Sequence, residues 1–592
     1  MKKGFCLAVA AAFVAAAAVP AVSQEGVGSD WSYHHLKFMN PGSQADAEAN
    51  GRYDAWRRFV NQPRYRTQQI RRSAEWANRF AGIDSEFAES QAQRDSDARV
   101  LGRSDDKTKM NRDWAVPIAP SGYGVAQGVY PAAYGASLVT ASCNDYVVFP
   151  VNRAGSNSGT KQANLVGFDN LYKTTCSGNV PTVKFAYYIS TGTIQTSPVV
   201  SEDGTKIAFV VSVTNGSTFD VLTLDTTGSG NGTAYNAPAV PGTGNNAKVV
   251  SIKLNGNQSV TYSSPFVDYD DDVAYVGDDS GYLHKITCVF NRNSSTCTPA
   301  EVTANGSGWP FRVVSGQVLS APVYDTTSGN IYMGAGNGYV YCVNLNGTTP
   351  GACTTSRVGV ANGSGSDAIE DGPIVVSNGT SSWVYSQGNG STTSYVMQVP
   401  TSTSRGFGTA VYVPVGVDAP SVLHNGDFDN NYYKGNYSTA HMYACVFTNY
   451  SSGGTTYEEP ALFQIGFNSS GTLNTTAVTG PKLIQNDAND TDECSPLTEI
   501  YNGSTDYLFL GVNYEGAPAG CNNQACVMSF NLGSTFNTSL APMATFPLGG
   551  TAANAASAII IDNISAAAGA SQVYFGNMEN GDATQASQAG LN

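Results

Sequence analysis

Ser264-Pro265-Phe266-Val267-Asp268, followed by Tyr275, Gly277, Gly281 and Tyr282, decides the fold, because the chain repeats it. Ala321-Pro322-Val323-Tyr324-Asp325 is followed by Tyr332, Gly334, Gly338 and Tyr339. Counted from the proline, the four later positions are +10, +12, +16 and +17 in both segments. Agreement at so many offsets marks an internal repeat, which sets the architecture before any single element does.

Working outward, the opening of the repeat recurs at Ser197-Pro198-Val199-Val200, Gly372-Pro373-Ile374-Val375, Ala419-Pro420-Ser421-Val422 and Ser495-Pro496-Leu497. It recurs without proline at Ser557-Ala558-Ile559-Ile560, and an earlier copy is expected at Ala136-Ser137-Leu138-Val139. Over the roughly 480 residues from Asp113, eight openings give units of about 60 residues each. Within a unit, short runs of Val, Ile and Tyr are separated by turn residues, as in Pro322–Asp325, Asn330–Gly334 and Tyr339–Val343. One four-stranded sheet cannot bury both faces, and radial stacking solves that while shielding the edges. The expectation is therefore all-β: a β-propeller of seven or eight four-stranded blades, eight by the count of openings. The last unit ends after Gln572–Gly576 and Thr584–Ser587, so its outer strand is expected from the segment near Trp114–Ile118.

Charge divides the chain. Residues 25–112 carry 15 Lys and Arg against 13 Asp and Glu, whereas residues 113–592 carry 14 against 33. The overall formal charge of −15 excludes a nucleic-acid partner, which needs a basic surface. In the N-terminal part, Tyr53, Trp56, Phe59 and Val60, then Ile70, Ala74, Ala77 and Ala81, have amphipathic-helix spacing. The division expected is 1–23 signal peptide, 24–112 short helical segment and charged linker, and 113–592 propeller.

The signal peptide is read from Lys2 and Lys3, the apolar run Gly4 to Val19, and Ala21-Val22-Ser23 at the cleavage site. No later apolar run is long enough to span a membrane, so there is no transmembrane segment and the protein is expected to be secreted, periplasmic or extracellular. Ten of the eleven cysteines lie beyond that peptide. An even number in an exported chain reads as disulfides. Cys288 with Cys297, Cys342 with Cys353 and Cys521 with Cys526 are local staples. Cys143 with Cys176 and Cys445 with Cys494 complete the set.

At this point the chain resembles the quinoprotein-like family of β-propellers, with PQQ-like repeats, across roughly Asp113 to Asn592. Ser142-Cys143-Asn144-Asp145-Tyr146, Gly426-Asp427-Phe428-Asp429-Asn430, Asp492-Glu493-Cys494-Ser495-Pro496 and the ending Gln585-Ala586-Ser587-Gln588 look more closely like a group of secreted bacterial propeller proteins with no assigned activity. The resemblance implies a fold. The quinone enzymes of the family carry adjacent cysteines over their cofactor, and this chain has no adjacent pair, so no quinone is assigned. It has no C-x-x-C-H for haem either.

Candidate sites are few. His284, His424 and His441 fall in three different units and form no visible triad. Asp371, Asp418, Asp492 and Glu493 stand just before the openings of three successive units, which places carboxylates at one mouth of the central channel. They would suit a divalent cation or a polyhydroxylated ligand. Asp270, Asp272, Asp427 and Asp429 sit in expected turns, and Asp427-Phe428-Asp429-Asn430-Asn431 alternates oxygen ligands as calcium loops do. The glycine of such a loop is replaced by Tyr432, and Asp and Asn favour turns in any case. Calcium is the one cofactor these residues would suit. Two functions remain: non-catalytic binding of an extracellular glycan or protein, and, as the alternative, a polysaccharide-active enzyme with paired carboxylates.

Overall fold

The computed structural model describes residues 110–592 except 136–141, 173–175, 179, 202, 215, 256–259, 270, 292–295, 326–327, 366, 378–381, 403–405, 419–422, 434, 453–454, 485–492, 502–504, 514–515, 550–555, 563–571, 589–590 and 592. The expected signal peptide, N-terminal helices, Asp270 and Asp492 lie outside the described residues.

Successive runs of β-branched and aromatic residues fold back on one another as antiparallel meanders. Five sheets have four strands, one has five and one has nine. The nine-stranded sheet is two meanders joined by a single parallel bridge, Thr355 to Gly406. Taken separately, these give units 1 to 8 in chain order. Their first strands are Ala132–Tyr134, Val199–Val200, Phe266–Asp268, Val323–Asp325, Ile374–Ser377, Asp427–Phe428, Thr498–Tyr501 and Ile560–Asp562. Among the described residues helix is almost absent: the turn Asn430–Tyr433 and two short 3-10 segments.

First strands of neighbouring units touch, units 1 with 2, 3 with 4, 4 with 5 and 6 with 7, so they line an axis. Apolar side chains fill the spaces between sheets. One cluster runs through units 1 to 5, and others join unit 5 to 6, 6 to 7, 7 to 8 and 8 back to 1. The ring is closed, and each sheet buries both faces as the composition of its strands demands. This is a β-propeller.

Closure uses both chain ends. The strand Met110–Pro117 pairs with Asp582–Gln588 as the outer strand of unit 8, with Trp114 opposite Gln585. Trp114 also donates its indole N–H to Gln585 Oε1 at 2.8 Å. The outer strand expected from this region is present, but it begins at Met110, so a boundary at 112/113 falls inside it.

Two openings differ from expectation. Unit 1 opens at Ala132, after Tyr130-Pro131, rather than at Ala136–Val139, whose residues 136–139 lie outside the described ones. Unit 6 opens at Asp427-Phe428, which was expected in a turn, and Ala419–Val422 lies outside the described residues. All five disulfides join the expected pairs: Cys143–Cys176, Cys288–Cys297, Cys342–Cys353, Cys445–Cys494 and Cys521–Cys526.

Candidate functional site

One position explains the repeat and exposes its exception. Three residues before the first strand, units 2, 3, 4, 7 and 8 carry Thr196, Ser263, Ser320, Ser495 and Ser557. The second strand continues past the beginning of the first, so its N–H two residues beyond the last pair faces no residue of the first strand, and a buried N–H needs a partner. The hydroxyl takes that role. Ser263, Ser320, Ser495 and Ser557 accept from the N–H of Gly277, Gly334, Gly511 and Gly576 at 2.8–2.9 Å. Thr196 does the same for Val210 at 3.2 Å. The glycines of the sequence repeat are therefore packing glycines: a Cβ on Gly277 would lie 2.7 Å from Leu319 Cβ. In unit 1 the register puts Pro150 in the glycine place, and proline has no N–H to satisfy. The corresponding residue there is apolar Val129.

Units 5 and 6 break the pattern at the same place, with Asp371 and His424. The two meet: His424 Nδ1 lies 3.0 Å from Asp371 Oδ1. The other carboxylate oxygen accepts the backbone N–H of Asn425 at 2.6 Å. The Asn425 side-chain amide donates to Gly372 O, and the Asn425 backbone carbonyl accepts Leu497 N–H at 3.0 Å. The pair is thus fastened to the start of unit 7. Burial works against a charge on His424, which is 7% exposed, but Asp371, Glu493 and Glu370 outweigh it and raise the imidazole pKa to about 9. At neutral pH His424 is a buried cation and a hydrogen-bond donor.

In unit 5 the register places Gln387 where units 3, 4, 7 and 8 carry glycine. Its side chain is buried, and neither polar atom has a hydrogen-bond partner among the described residues. Gln127 Nε2 is likewise buried and unpartnered there. Around the pair, the same end of the ring carries Glu370, Asp279 and exposed Tyr262, whose hydroxyl pKa is raised by burial and by Asp279 and Glu370. Burial, then the neighbouring Asp278, raises the Asp279 pKa to about 7.

The expected carboxylates are placed unequally. Asp371 and Glu493 both act on His424. Asp418 does not join them: burial, then the like charge of Asp367, raises its pKa. The acids expected in turns make hydrogen bonds within the fold. Asp427 accepts the N–H groups of Phe428 and, in unit 7, Glu499, each at 2.7 Å. Asp429 caps the turn Asn430–Tyr433, accepting Tyr432 N–H at 3.1 Å, and holds His441 through its N–H and Nδ1. Asp272 accepts Phe290 N–H at 2.7 Å. Among the described residues, no three His, Cys, Asp or Glu side chains are grouped to hold a metal ion.

The sequence gives His424 no partner, because the opening of unit 6 reads there as Ala419–Val422. Measured from Asp427, its offset equals that of the serines, and that offset is the signal that finds it.

No family model matches the chain, and no curated protein matches it. The solved structures it resembles are β-propellers. BamB from Moraxella catarrhalis is 10% identical with a TM-score of 0.36, over 81% of this chain and 98% of that one. The C-terminal WD40 domain of Sif2 is 8% identical with a TM-score of 0.42, over 82% and 99%. The Dos1 propeller is 9% identical with a TM-score of 0.41, over 81% and 96%.

Proposed function

We propose that the protein is an exported propeller of eight blades that binds an extracellular ligand, a glycan or another protein, at the channel end carrying Asp371 and His424, without chemistry of its own. The observation that carries this reading is the replacement of the repeated hydroxyl by a buried acid–imidazole pair in two neighbouring units. Five units use the position to complete their own sheet, and these two present charge instead. A histidine held protonated through neutral pH is a donor and not a general base, which favours binding over proton abstraction. The mouth acids disfavour anions. Five disulfides are compatible with a periplasmic or extracellular location. Among the described residues no helix is long and apolar enough to cross a membrane.

The test compares the mature protein with an Asp371→Ser/His424→Ser variant, which installs the side chain of the other units. Calorimetry against a panel of neutral, acidic and basic oligosaccharides, and against tri-lysine and tri-glutamate peptides, reads affinity. A ligand whose affinity falls at least tenfold in the variant supports the site. Equal affinity in both proteins places binding elsewhere. Shortened oligosaccharide products would favour the alternative, a polysaccharide-active enzyme.

A further inference from the structure

The connection from the outer strand of unit 8 to the first strand of unit 1 has only to climb from the rim to the axis. It goes further. Its beginning is tied to units 8 and 1: Gly122 N–H donates to Met578 O at 2.9 Å, and Gly124 N–H to Asn152 Oδ1 at 2.9 Å. Gly124 O accepts Asn152 N–H at 2.8 Å, and the Arg153 guanidinium covers the Tyr123 ring at 4.6 Å. Val125 is fully buried against Gly576 of unit 8, whose Cβ would lie 2.7 Å from that of the valine. Its end is tied to unit 2, where Tyr130 N–H donates to Ser197 Oγ at 3.0 Å.

Between these anchors the chain meets the far wall. A Cβ on Gly128 would lie 2.6 Å from His424 Cε1, 3.1 Å from its Nδ1 and 3.5 Å from Asp371 Oδ1. Units 5 and 6 stand on the other side of the ring from units 8, 1 and 2. A segment touching all of them crosses the channel. Within the crossing, Val129 N–H turns back to Ala126 O at 3.1 Å, and Val129 is buried. Glycine is required at 128 for the close approach, because its neighbour there is a buried ring with no room to retreat.

We propose that residues 124–130 are a strap that closes this end of the channel, seated on the Asp371–His424 pair. The pair then has two uses: it replaces the hydroxyls of the other units, and it forms the seat on which a backbone segment without a side chain rests. Any ligand that reaches the pair displaces the strap, so its removal gates the mouth. The proposal stands whether or not a ligand is found at this end.

Hydrogen–deuterium exchange on the full mature protein tests it. The amides of Gly124, Val129 and Tyr130, which donate to Asn152, Ala126 and Ser197, are expected to be protected in the wild type. Two variants should each raise exchange over 124–130 at least tenfold: His424→Ser, which removes the seat, and Gly128→Leu, which forces the strap off it. The strands Lys206–Val213 and Gln572–Asn577 should exchange as in the wild type. Unprotected wild-type amides over 124–130 would overturn the strap. Release by Gly128→Leu with none in His424→Ser would overturn the pair as its seat. If His424→Ser loosens the whole ring, Gly128→Leu together with Asp371→Asn decides, since neither removes the imidazole.

Discussion

Asp371 and His424 occupy the same place in two consecutive units of the ring, and there Asp371 Oδ1 meets His424 Nδ1 at 3.0 Å. In five other units that place holds a hydroxyl that completes one sheet by itself. Here two units complete each other, and the bond they form is ionic, so it depends on pH as the hydroxyl bonds do not.

The sign of that dependence follows from the raised imidazole pKa, about 9 in the fold against an ordinary 6.5. The folded protein binds the proton more tightly. The stabilisation is complete below about pH 6.5 and is lost as pH rises through about 9. Within that window His424 contributes a slope of up to about 1.4 kcal/mol per pH unit. His284, held between Asp278 and Glu301, has a raised pKa of the same sign, so only a difference isolates the pair. Urea unfolding of wild type and His424→Gln at pH 6.5 and 9 should converge at the higher pH. Parallel curves would remove the ion pair from the account of stability.

Ring closure has a polar counterpart to its apolar seam. The Tyr172 hydroxyl of unit 1 lies 2.8 Å from Asp145 Oδ2 and 2.7 Å from Asp562 Oδ2 of unit 8, and all three residues are buried. Tyr172→Phe removes the shared donor and leaves buried carboxylate oxygens without it, a loss of about 1–3 kcal/mol. The urea midpoint should fall with an unchanged m value. A midpoint equal to wild type would show that the seam is apolar in its energetics.

The outer strand of unit 8 sets the limit for shortening the chain. Met110 packs between units 7 and 8, and the pairing with Asp582–Gln588 runs from Met110 to Pro117. A chain beginning at Ser104 should give soluble protein with wild-type β circular dichroism, and one beginning at Ile118 should not. If the chain from Ser104 fails as well, part of residues 24–103 belongs to the ring.

The disulfides divide by what they enclose. Cys445–Cys494 spans 49 residues and ties unit 6 to the beginning of unit 7, whereas Cys521–Cys526 spans 5 within unit 7. Loop-closure entropy makes the longer constraint worth about 2 kcal/mol more in the unfolded chain. Replacing each pair with serine should lower stability more for Cys445–Cys494 by about that amount. Equal losses would mean that strain or residual structure outweighs loop length.

Much of this was legible where a residue type has a local reason. Proline at Pro265 and Pro322 precedes a first strand because no ladder bond is needed there, and Gly277 and Gly334 pack too closely for a side chain. Asp427-Phe428 was not legible, because an acid next to a run of asparagines reads locally as a turn. What makes it a strand is pairing with Met442 and Tyr443 and an amide from Glu499 in the next unit. Misplacing that strand hid His424, whose meaning is only its offset from it. Gly128 was invisible for the same reason: its need for glycine comes from a residue 296 positions away in the chain.

Asp427 yields the sharpest separation between a structural and a metal role. Both its oxygens accept backbone N–H groups at 2.7 Å, one of them from Glu499 across the junction of units 6 and 7, and the side chain is buried. Asp429 is occupied in the same manner by Tyr432 and His441. A cation there would have to compete with these amides for the carboxylate oxygens. Asp427→Asn keeps the shape but turns one acceptor into a donor facing a donor, and it removes the charge from both bonds. The expected loss is about 1.5–3 kcal/mol, as for hydrogen bonds to charged groups. It should be the same in calcium and in chelator, and chelator alone should leave the wild-type melting temperature unchanged. If calcium raises the wild-type melting temperature and Asp427→Asn abolishes the rise, an ion sits at this strand and the amide-capping account of Asp427 is wrong.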